Sequence, residues 1–340
     1  AGLSLATHLH KAGQDFQLFE ARKRLGGRIK THDLNGASYD LGPAWFWPGQ
    51  TRMAALISEL GLTHFEQYAT GDQLFETENG QVIRDHGFAS MQGSWRVDGG
   101  MGKLIEGLAK ALPKQCLHTE HQAETIAVDG SITFSNKTQC NARQIVFALP
   151  PRLVSDLTID PPLTDNQLHA MRSTPTWMAG HAKILALYDK PFWRDAGLSG
   201  DASSRHGPMV EIHDASPNQE QSSAALFGFL GIPAQHRRNN KTAILNAVQA
   251  QLIHLFGAEA ANPIGLICKD WAFHPQTANS HDHAPVSHHP TYGLPASLKG
   301  LADRNIHLCV TEVAPEMGGY LEGALAAAEV TAKALINGDH

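Results

Sequence analysis

The feature that most constrains the fold is a short stretch near the start of the chain. Residues 16–19 form an apolar run that ends in Glu20, and Gly26, Gly27 and Arg28 follow a few positions later. An acid at the end of a strand accepts hydrogen bonds from ribose hydroxyls in dinucleotide-binding βαβ units. Glycines let the next loop approach a pyrophosphate closely, and an arginine supplies positive charge for it. The stretch therefore predicts a nucleotide pocket; the alternative is an exposed turn with solvated basic side chains.

Composition limits the class of protein. A chain of 340 residues is too long for one ordinary domain and suits two interleaved ones. Its 42% hydrophobic content supports a packed core, and no run of eighteen or more apolar residues predicts a membrane span. A net charge of −6 gives no electrostatic reason to expect a nucleic-acid partner. The four cysteines lie far apart without a CxxC pair, which predicts reduced core residues in a cytoplasmic protein.

Histidine is unusually frequent, with 20 in the chain, and several lie between residues 274 and 289. Their spacing fits no standard zinc pattern, and Pro275, Pro285 and Pro290 indicate a loop. We therefore expect no metal site there.

Hydrophobic periodicity gives a coarse map of secondary structure. It predicts helices over residues 6–12, 53–60, 102–112, 163–171 and 242–256. It predicts strands over residues 16–19, 125–128, 131–134, 145–149, 181–188 and 224–230. Asp129-Gly130 is a two-residue hairpin signal between two of these strands. The polar segment 216–223 is expected to be a mobile loop. The alternation of helices and strands predicts an α/β fold.

Four motifs, in order along nearly the whole chain, resemble those of the FAD-dependent amine oxidases, the monoamine and polyamine oxidase family. They are Glu20-Ala21-Arg22 with Leu25-Gly26-Gly27-Arg28, Asp40-Leu41-Gly42-Pro43-Ala44-Trp45, Ala179-Gly180-His181-Ala182-Lys183 leading into residues 188–194, and Thr311-Glu312 with residues 318–324. Each motif alone has little specificity, but their joint order is specific to the family.

The resemblance implies a fold and a domain division. The fold would combine a discontinuous FAD-binding Rossmann-like domain of the glutathione-reductase type with an α+β substrate domain. Residues 1–50, 98–155 and 271–340 would form the FAD-binding domain. Residues 51–97 and 156–270 would form the substrate-binding domain.

The resemblance also implies an activity. A protein of this kind would oxidise a C–N bond of a small amine by hydride transfer to the flavin N5, and dioxygen would reoxidise the flavin. A desaturase or C–C oxidase of the same superfamily is the alternative enzyme. A non-catalytic relative with impaired FAD binding is the alternative outside enzymes.

The catalytic residues follow from the same resemblance. Lys183 matches the lysine that holds a water near the flavin N5. Tyr320 matches one wall of an aromatic cage that aligns the amine. Counting forward from Trp271 assigns the other wall to His281, unless the loop carries an insertion, in which case Tyr292 would take that place.

The same counting places the position of a covalent flavin-linking cysteine at Ser280, and serine cannot form a thioether, so we expect non-covalent FAD. The cofactor-binding residues implied by the resemblance are Gly2, Ser4, Glu20, Ala21, Arg22, Gly26, Gly27, Arg28, Gly42, Pro43, Ala44, Trp45, Ala123, Trp271, Glu312, Gly319 and Leu321.

Two positions depart from the family pattern. Gly2 stands for the second glycine of a Gly-x-Gly-x-x-Gly turn, but the first strand and the first and third glycines are missing. We expect a sequence that begins inside the motif rather than a protein that has lost its pyrophosphate turn. Val310 replaces a glycine before Thr311, so either the turn differs or the backbone there needs no positive φ.

Overall fold

The structure is a computed structural model that describes residues 1–87, 89–218, 223–284, 286 and 288–338. The α-helices are α1 (Gly2–Lys11), α2 (Thr51–Glu59), α3 (Gly102–Lys110), α4 (Pro151–Val154), α5 (Asp165–Ser173), α6 (Phe192–Asp195), α7 (Ala234–Arg237), α8 (Lys241–Phe256) and α9 (Leu321–Asn337). Short 3₁₀ turns cover Lys114–Cys116, Ala258–Ala261, Ser280–Asp282, Ala296–Arg304 and Thr311–Val313.

The strands are short outside one large sheet. They are β1 (Leu18–Phe19), β2 (Thr31–Leu34), β3 (Ala37–Asp40), β4 (His64–Glu66), β5 (Asp72–Glu76), β6 (Val82–Arg84), β7 (Trp95–Val97), β8 (Leu117–His118), β9 (Ala123–Ala127), β10 (Ser131–Phe134), β11 (Gln139–Asn141), β12 (Ile145–Phe147), β13 (Thr158–Asp160), β14 (Ala182–Tyr188), β15 (Leu198–Ser204), β16 (Met209–Asp214), β17 (Ala224–Leu230), β18 (Gly265–Asp270) and β19 (Ile306–Leu308).

Parallel pairing joins distant parts of the chain. Strand β1 pairs in parallel with β8, and β12 pairs in parallel with β19 near the C-terminal end. Helix α1 packs on α9 through a small apolar core in which Leu5, Cys309, Ala328 and Ala332 are buried. The first helix and the last helix therefore lie side by side, because both bury small or apolar faces against the same strand ends.

The large sheet has seven strands in the order β18-β14-β17-β16-β15-β5-β6. One face packs on α8, where Ile184, Leu226, Val248 and Leu252 share a core. Side chains alternate between faces along a strand, so the odd-numbered residues of β14 lie on the opposite face. That second face packs on the β2–β3 hairpin through residues that include Tyr39, Leu185 and Phe227.

Most predicted elements are confirmed. Helices α2 and α8 and strands β14 and β17 lie where periodicity placed them, and Gly130 makes the β9–β10 turn with φ +85°. Helix α1 begins at Gly2, four residues earlier than predicted, because Leu3 and Leu5 continue its buried face.

Two other expectations have clear outcomes. Val310 is extended, with φ −149° and ψ 155°, so the backbone there needs no glycine. Residues 219–222 of the loop predicted over 216–223 lie outside the described residues.

Candidate functional site

Glu20 lies at the carboxyl end of β1, as the sequence predicts. Its backbone N–H donates to the His118 carbonyl at 2.8 Å, and its carbonyl accepts from His121 N–H at 3.0 Å. Its carboxylate accepts the Arg22 backbone N–H at 2.8 Å. Ala123 opens β9 shortly after this segment. The acid is thus fixed at a strand end, the position from which a carboxylate reaches ribose hydroxyls.

Arg28 and Glu312 form a bidentate ion pair across the molecule. Nη1 of Arg28 lies 2.6 Å from Oε1 of Glu312, and Nη2 lies 3.1 Å from Oε2. Glu312 has no exposed surface. Glu312, one of the cofactor-binding residues implied by the resemblance, therefore has Arg28 as its partner in the structure.

The residues present fit FAD. Helix α1 spans ten residues, and its first backbone N–H groups, which no side chain caps, can donate to an anion. Arg22 Nη2 donates to Thr277 Oγ1 at 2.5 Å, while Arg22 Nε is buried without any hydrogen-bond partner. A buried donor without an acceptor points to a missing ligand atom. Gly26 and Gly27, with φ of +102° and +57°, keep the intervening loop free of side chains.

The segment after β3 lies against the predicted lysine. Lys183 Nζ donates to the Gly42 carbonyl at 2.5 Å, and Trp271 Nε1 donates to the Leu41 carbonyl at 2.9 Å. A Cβ on Gly42 would lie 2.1 Å from the Arg28 carbonyl oxygen, so only glycine fits at this position. Lys183 and Trp271 therefore bind neighbouring backbone carbonyls of one segment.

Lys183 is buried among aromatic rings. Its side chain is 6% exposed, and Nζ lies 4.3 Å from the Phe227 ring centre and 5.4 Å from that of Trp45. Burial, helped by the positive charge of Arg96, lowers the pKa of Lys183 to about 8, against the attraction of Asp40. A buried lysine that titrates near neutral pH is a common feature of functional sites.

A continuous series of ring contacts leads from Lys183 to Tyr320. Lys183 Nζ lies 5.5 Å from the Phe229 ring centre. We name as the ring wall the residues that continue from there: Phe229, His181, Trp177, His289 and Tyr320. Successive ring centres along it lie 6.2, 6.2, 5.0 and 5.0 Å apart. The predicted lysine and the predicted cage tyrosine therefore border one aromatic surface.

The structure does not bring His281 to Tyr320. His281 is exposed, and its carbonyl accepts from Arg152 Nη1 at 2.9 Å. The ring stacked on Tyr320 is that of His289, with centres 5.0 Å apart and planes 12° from parallel. The segment after Trp271 forms the 3₁₀ turn Ser280–Asp282, which Asn279 caps, and His281 is exposed in this turn. Tyr292, the alternative under an insertion, contacts His289 edge-on rather than Tyr320.

The remaining predicted residues have definite places. Trp45 donates from Nε1 to Gln67 Oε1 at 2.7 Å, and its ring contacts that of Phe227. Gly319 has φ +84°, and a Cβ there would lie 2.8 Å from His289 Nε2. Leu321 begins α9. Ser4 and Ala44 are buried, while Gly2, Ala21 and Pro43 are half-buried.

Sequence reasoning missed three groups of polar residues. His213 is buried between Asp201 (2.6 Å) and Glu211 (2.9 Å) on the second face of the large sheet. Lys269 is buried one strand from Lys183, its partner in the β14–β18 register. His181 precedes Lys183 by two residues and shares its sheet face. The period-2 pattern of β14, β16 and β18 was the only available signal, and it does not reveal which polar residue lacks a partner.

Two further findings concern the described part of the chain. None of its helices combines the length and the apolar character that a membrane span requires. No three histidine, cysteine or acidic side chains within residues 1–87, 89–218, 223–284, 286 and 288–338 are grouped as metal ligands.

Comparisons with known proteins support the overall fold. Putrescine oxidase from Kocuria rosea is 24% identical, over 78% of each chain. Wild-type putrescine oxidase bound to putrescine has a similar solved structure, with a TM-score of 0.81, 21% identity, and 99% and 96% of the two chains covered. Cyclohexylamine oxidase from Brevibacterium oxydans IH-35A gives a TM-score of 0.82 at 18% identity, with the same coverage. These similarities confirm the predicted fold class.

The relatives carry internal segments that this chain lacks. The alignment with the Kocuria enzyme runs over 386 positions, more than the 340 residues of the whole chain, although it covers 78% of each protein. The family model of the flavin containing amine oxidoreductases matches residues 1–87 and then 76–336, so the match restarts around the β5–β6 hairpin. The side chain of Tyr320, at the end of the ring wall, is 41% exposed.

The family model of the flavin containing amine oxidoreductases matches nearly every residue. The chain therefore belongs to the family of flavin-containing amine oxidoreductases.

Proposed function

We propose that this FAD-dependent oxidoreductase of the amine oxidase type oxidises the C–N bond of a small primary amine. The observation that carries the proposal is the ring wall, which runs without a break from the buried Lys183 to Tyr320. An aromatic surface with few charges suits an amine that must be neutral before its α-carbon can release a hydride. The acid and basic groups that fit FAD lie next to the same lysine.

The cofactor would be held by this chain's own groups. Glu20 would accept hydrogen bonds from ribose hydroxyls, and Arg28 with the first turn of α1 would face the pyrophosphate. When bound, FAD supplies a two-electron acceptor that dioxygen regenerates. We propose non-covalent binding, since the segment 271–292 contains no cysteine and the residue before His289 is a histidine.

The ring wall would bind the amine and control its protonation. Burial, with the nearby Arg237 charge, lowers the pKa of His181, so its imidazole is neutral at neutral pH. Its Nδ1 is buried without a hydrogen-bond partner. A neutral imidazole can accept a proton from a substrate ammonium. His289 and Tyr320, at the end of the ring wall far from Lys183, would contact and orient the resulting amine.

Lys183 would provide positive charge where dioxygen is reduced. The Gly42 carbonyl fixes the Nζ of Lys183. Three aromatic rings, with centres within 5.5 Å of this Nζ, keep bulk water away from it. A fixed ammonium in such a site stabilises developing negative charge more strongly than it would in water. We therefore assign Lys183 to the oxygen reaction and the ring wall to the amine.

The rival activities have less support. The family and the compared proteins are named as amine oxidases, which does not favour a desaturase, a C–C oxidase or a non-catalytic relative. We retain the domain division given above as a proposal. A cytoplasmic location is proposed on the four free cysteines of the chain.

The test is a panel of amines offered to the FAD-loaded protein, with peroxide release and anaerobic loss of flavin absorbance measured in parallel. The panel should contain aliphatic monoamines, cyclic amines and diamines, with the matching alcohols as controls. Amine-dependent peroxide supports the proposal. A protein that binds FAD, is bleached by dithionite and reoxidised by air, yet shows no bleaching with any amine contradicts it.

A further inference from the structure

A cavity of about 240 Å³ is bordered by strands β5, β15 and β16 of the large sheet. We name it the acidic cavity. Of the described residues that line it, none is a lysine or an arginine, so any positive charge in its lining comes from a histidine. Its polar lining residues are Gln73, Ser90, Asp201, Ser203, Glu211 and His213.

One imidazole faces two carboxylates in this cavity. The Nδ1 of His213 lies 2.6 Å from Asp201 Oδ1, and its Nε2 lies 2.9 Å from Glu211 Oε1. An imidazolium carries one positive charge, so the two carboxylates leave the group with a net negative charge. The hydrogen bond from His213 lowers the pKa of Glu211, which keeps that carboxylate ionised at neutral pH. The acidic cavity therefore lacks one balancing cation.

Two acceptor atoms of the acidic cavity remain available. Ser90 Oγ and His213 Nε2 both lie within 2.9 Å of the same Glu211 oxygen, Oε1. Within the part of the chain that the structure describes, no donor bonds to the other oxygen, Oε2, and the Glu211 side chain is 38% exposed. Gln73 Oε1 is buried and has no hydrogen-bond partner. A buried acceptor without a donor indicates a missing ligand group.

Glu211 and Lys183 lie on one face of the sheet. Glu211 of β16 is paired with Phe229 of β17, and Phe229 is paired with Lys183 of β14. Paired residues of neighbouring strands project from the same face. Two strand spacings separate Glu211 from Lys183, so their backbones lie about 10 Å apart. Since the ring wall begins at Phe229, the acidic cavity adjoins the start of the ring wall.

We infer that the acidic cavity binds a primary ammonium group through Glu211 and Gln73. A primary ammonium has three donors and no acceptor, so it matches a free carboxylate oxygen and a buried amide oxygen. It also supplies the missing positive charge. The group can be the far end of a diamine whose other end reaches the ring wall, or it can belong to a separate amine. The first source rests on the proposed amine oxidation, whereas the second does not.

The experiment uses the FAD-loaded full chain with its flavin reduced by dithionite, so that no amine is consumed. Calorimetry measures the affinity for diamines of four to eight carbons and for monoamines of the same lengths. We expect the wild type to bind its best diamine about tenfold more tightly than the matched monoamine. Glu211→Gln should abolish this preference, because a charged hydrogen bond is lost. Glu78→Gln, at an exposed acid two residues after β5, is the matched control and should keep it.

Two further variants separate lost binding from lost folding, which circular dichroism monitors. Glu211→Asp keeps the charge and should recover part of the preference. Gln73→Leu removes the buried acceptor and should lower the preference about threefold. A diamine preference that is the same in the wild type, Glu211→Gln and Gln73→Leu overturns the inference. A wild type that binds each diamine no better than its monoamine, and that binds no methylammonium, overturns it as well.

Methylammonium chloride identifies the source of the ammonium, with sodium chloride as the ionic control. If methylammonium weakens binding of the diamine but not of the monoamine, the acidic cavity holds the far end of the diamine. If methylammonium binds in a Glu211-dependent manner and leaves both affinities unchanged, the cavity holds a separate amine. Equal weakening by sodium chloride overturns the inference, because the site would then take any cation. Glu211-dependent binding in a protein whose flavin no amine reduces contradicts the proposed oxidation and leaves this inference standing.

Discussion

Arg28 and Glu312, separated by 284 positions in the chain, form a bidentate ion pair in which both oxygens of a fully buried carboxylate are engaged. Arg28 ends the glycine loop after β1, and Glu312 lies in the 3₁₀ turn after β19. The pair therefore closes the N-terminal part of the chain on the C-terminal part.

Replacing Arg28 by methionine should destabilise the protein strongly. Met keeps much of the side-chain volume but leaves the Glu312 carboxylate buried without its partner, which costs about 3 kcal/mol or more. Urea denaturation of the flavin-free chain measures the free energy of unfolding. Arg205→Met is the control, because the Arg205–Glu78 pair is exposed and its loss should cost at most about 0.5 kcal/mol. Equal effects of the two substitutions would mean that the Arg28–Glu312 pair does not stabilise the fold.

Replacing Lys183 by methionine should slow the oxygen reaction and spare the amine reaction. We expect a loss of at least about tenfold in the rate of reoxidation, because one fixed positive charge is removed from a buried site. Flavin reduction by amine should change less than about threefold. Stopped-flow absorbance separates the two half-reactions. Lys190→Met, at an exposed lysine two residues after β14, is the matched control.

The pH dependence of the same reaction gives an independent check. The pKa of Lys183 is about 8, so its ammonium loses its proton as the pH rises through that value. The rate of reoxidation should therefore fall between pH 7 and 9 in the wild type and in Lys190→Met. It should be flat in Lys183→Met. A wild-type rate that rises over this range would assign the lysine a different role.

Local motifs predicted Glu20, Arg28 and Lys183 as site residues, but they did not predict the contact between His289 and Tyr320. Glu20, Arg28 and Lys183 were found because each belongs to a short segment whose residues keep a fixed spacing on a strand or its following loop. The stacking of His289 on Tyr320 was not predicted, because no local pattern shows which ring of the segment after Trp271 reaches Tyr320.

His289, rather than His281, should affect amine binding. His289→Leu removes the ring stacked on Tyr320 while keeping an apolar side chain in place. We expect KM for the preferred amine to rise at least about tenfold, since a stacked ring and its contacts with Trp177 and Tyr292 are lost together. His281→Leu should leave KM unchanged, because that side chain is exposed. The reverse order of effects would restore His281 as the cage residue.

The buried His213 network should make stability depend on pH in a defined direction. Burial alone would lower the pKa of His213, but its hydrogen bonds to Asp201 and Glu211 outweigh this and raise the pKa above 6.5. The folded state therefore binds a proton more tightly than the unfolded state does. This stabilisation is complete below pH 6.5 and is lost as the pH rises through the folded-state pKa.

The free energy of unfolding should consequently fall with a slope of up to about 1.4 kcal/mol per pH unit above pH 6.5. The groups that face the imidazole are the Asp201 and Glu211 carboxylates and the Trp45 and Phe227 rings. His213→Gln should remove the slope, whereas His281→Gln should retain it. Urea denaturation at half-unit steps from pH 6 to 9 measures the effect. Because the lowered pKa of Lys183 adds a rise in stability above about pH 8, the quantity to compare is the difference between the wild type and His213→Gln. Equal pH dependence of the two proteins would show that the two carboxylates do not hold a charged imidazole.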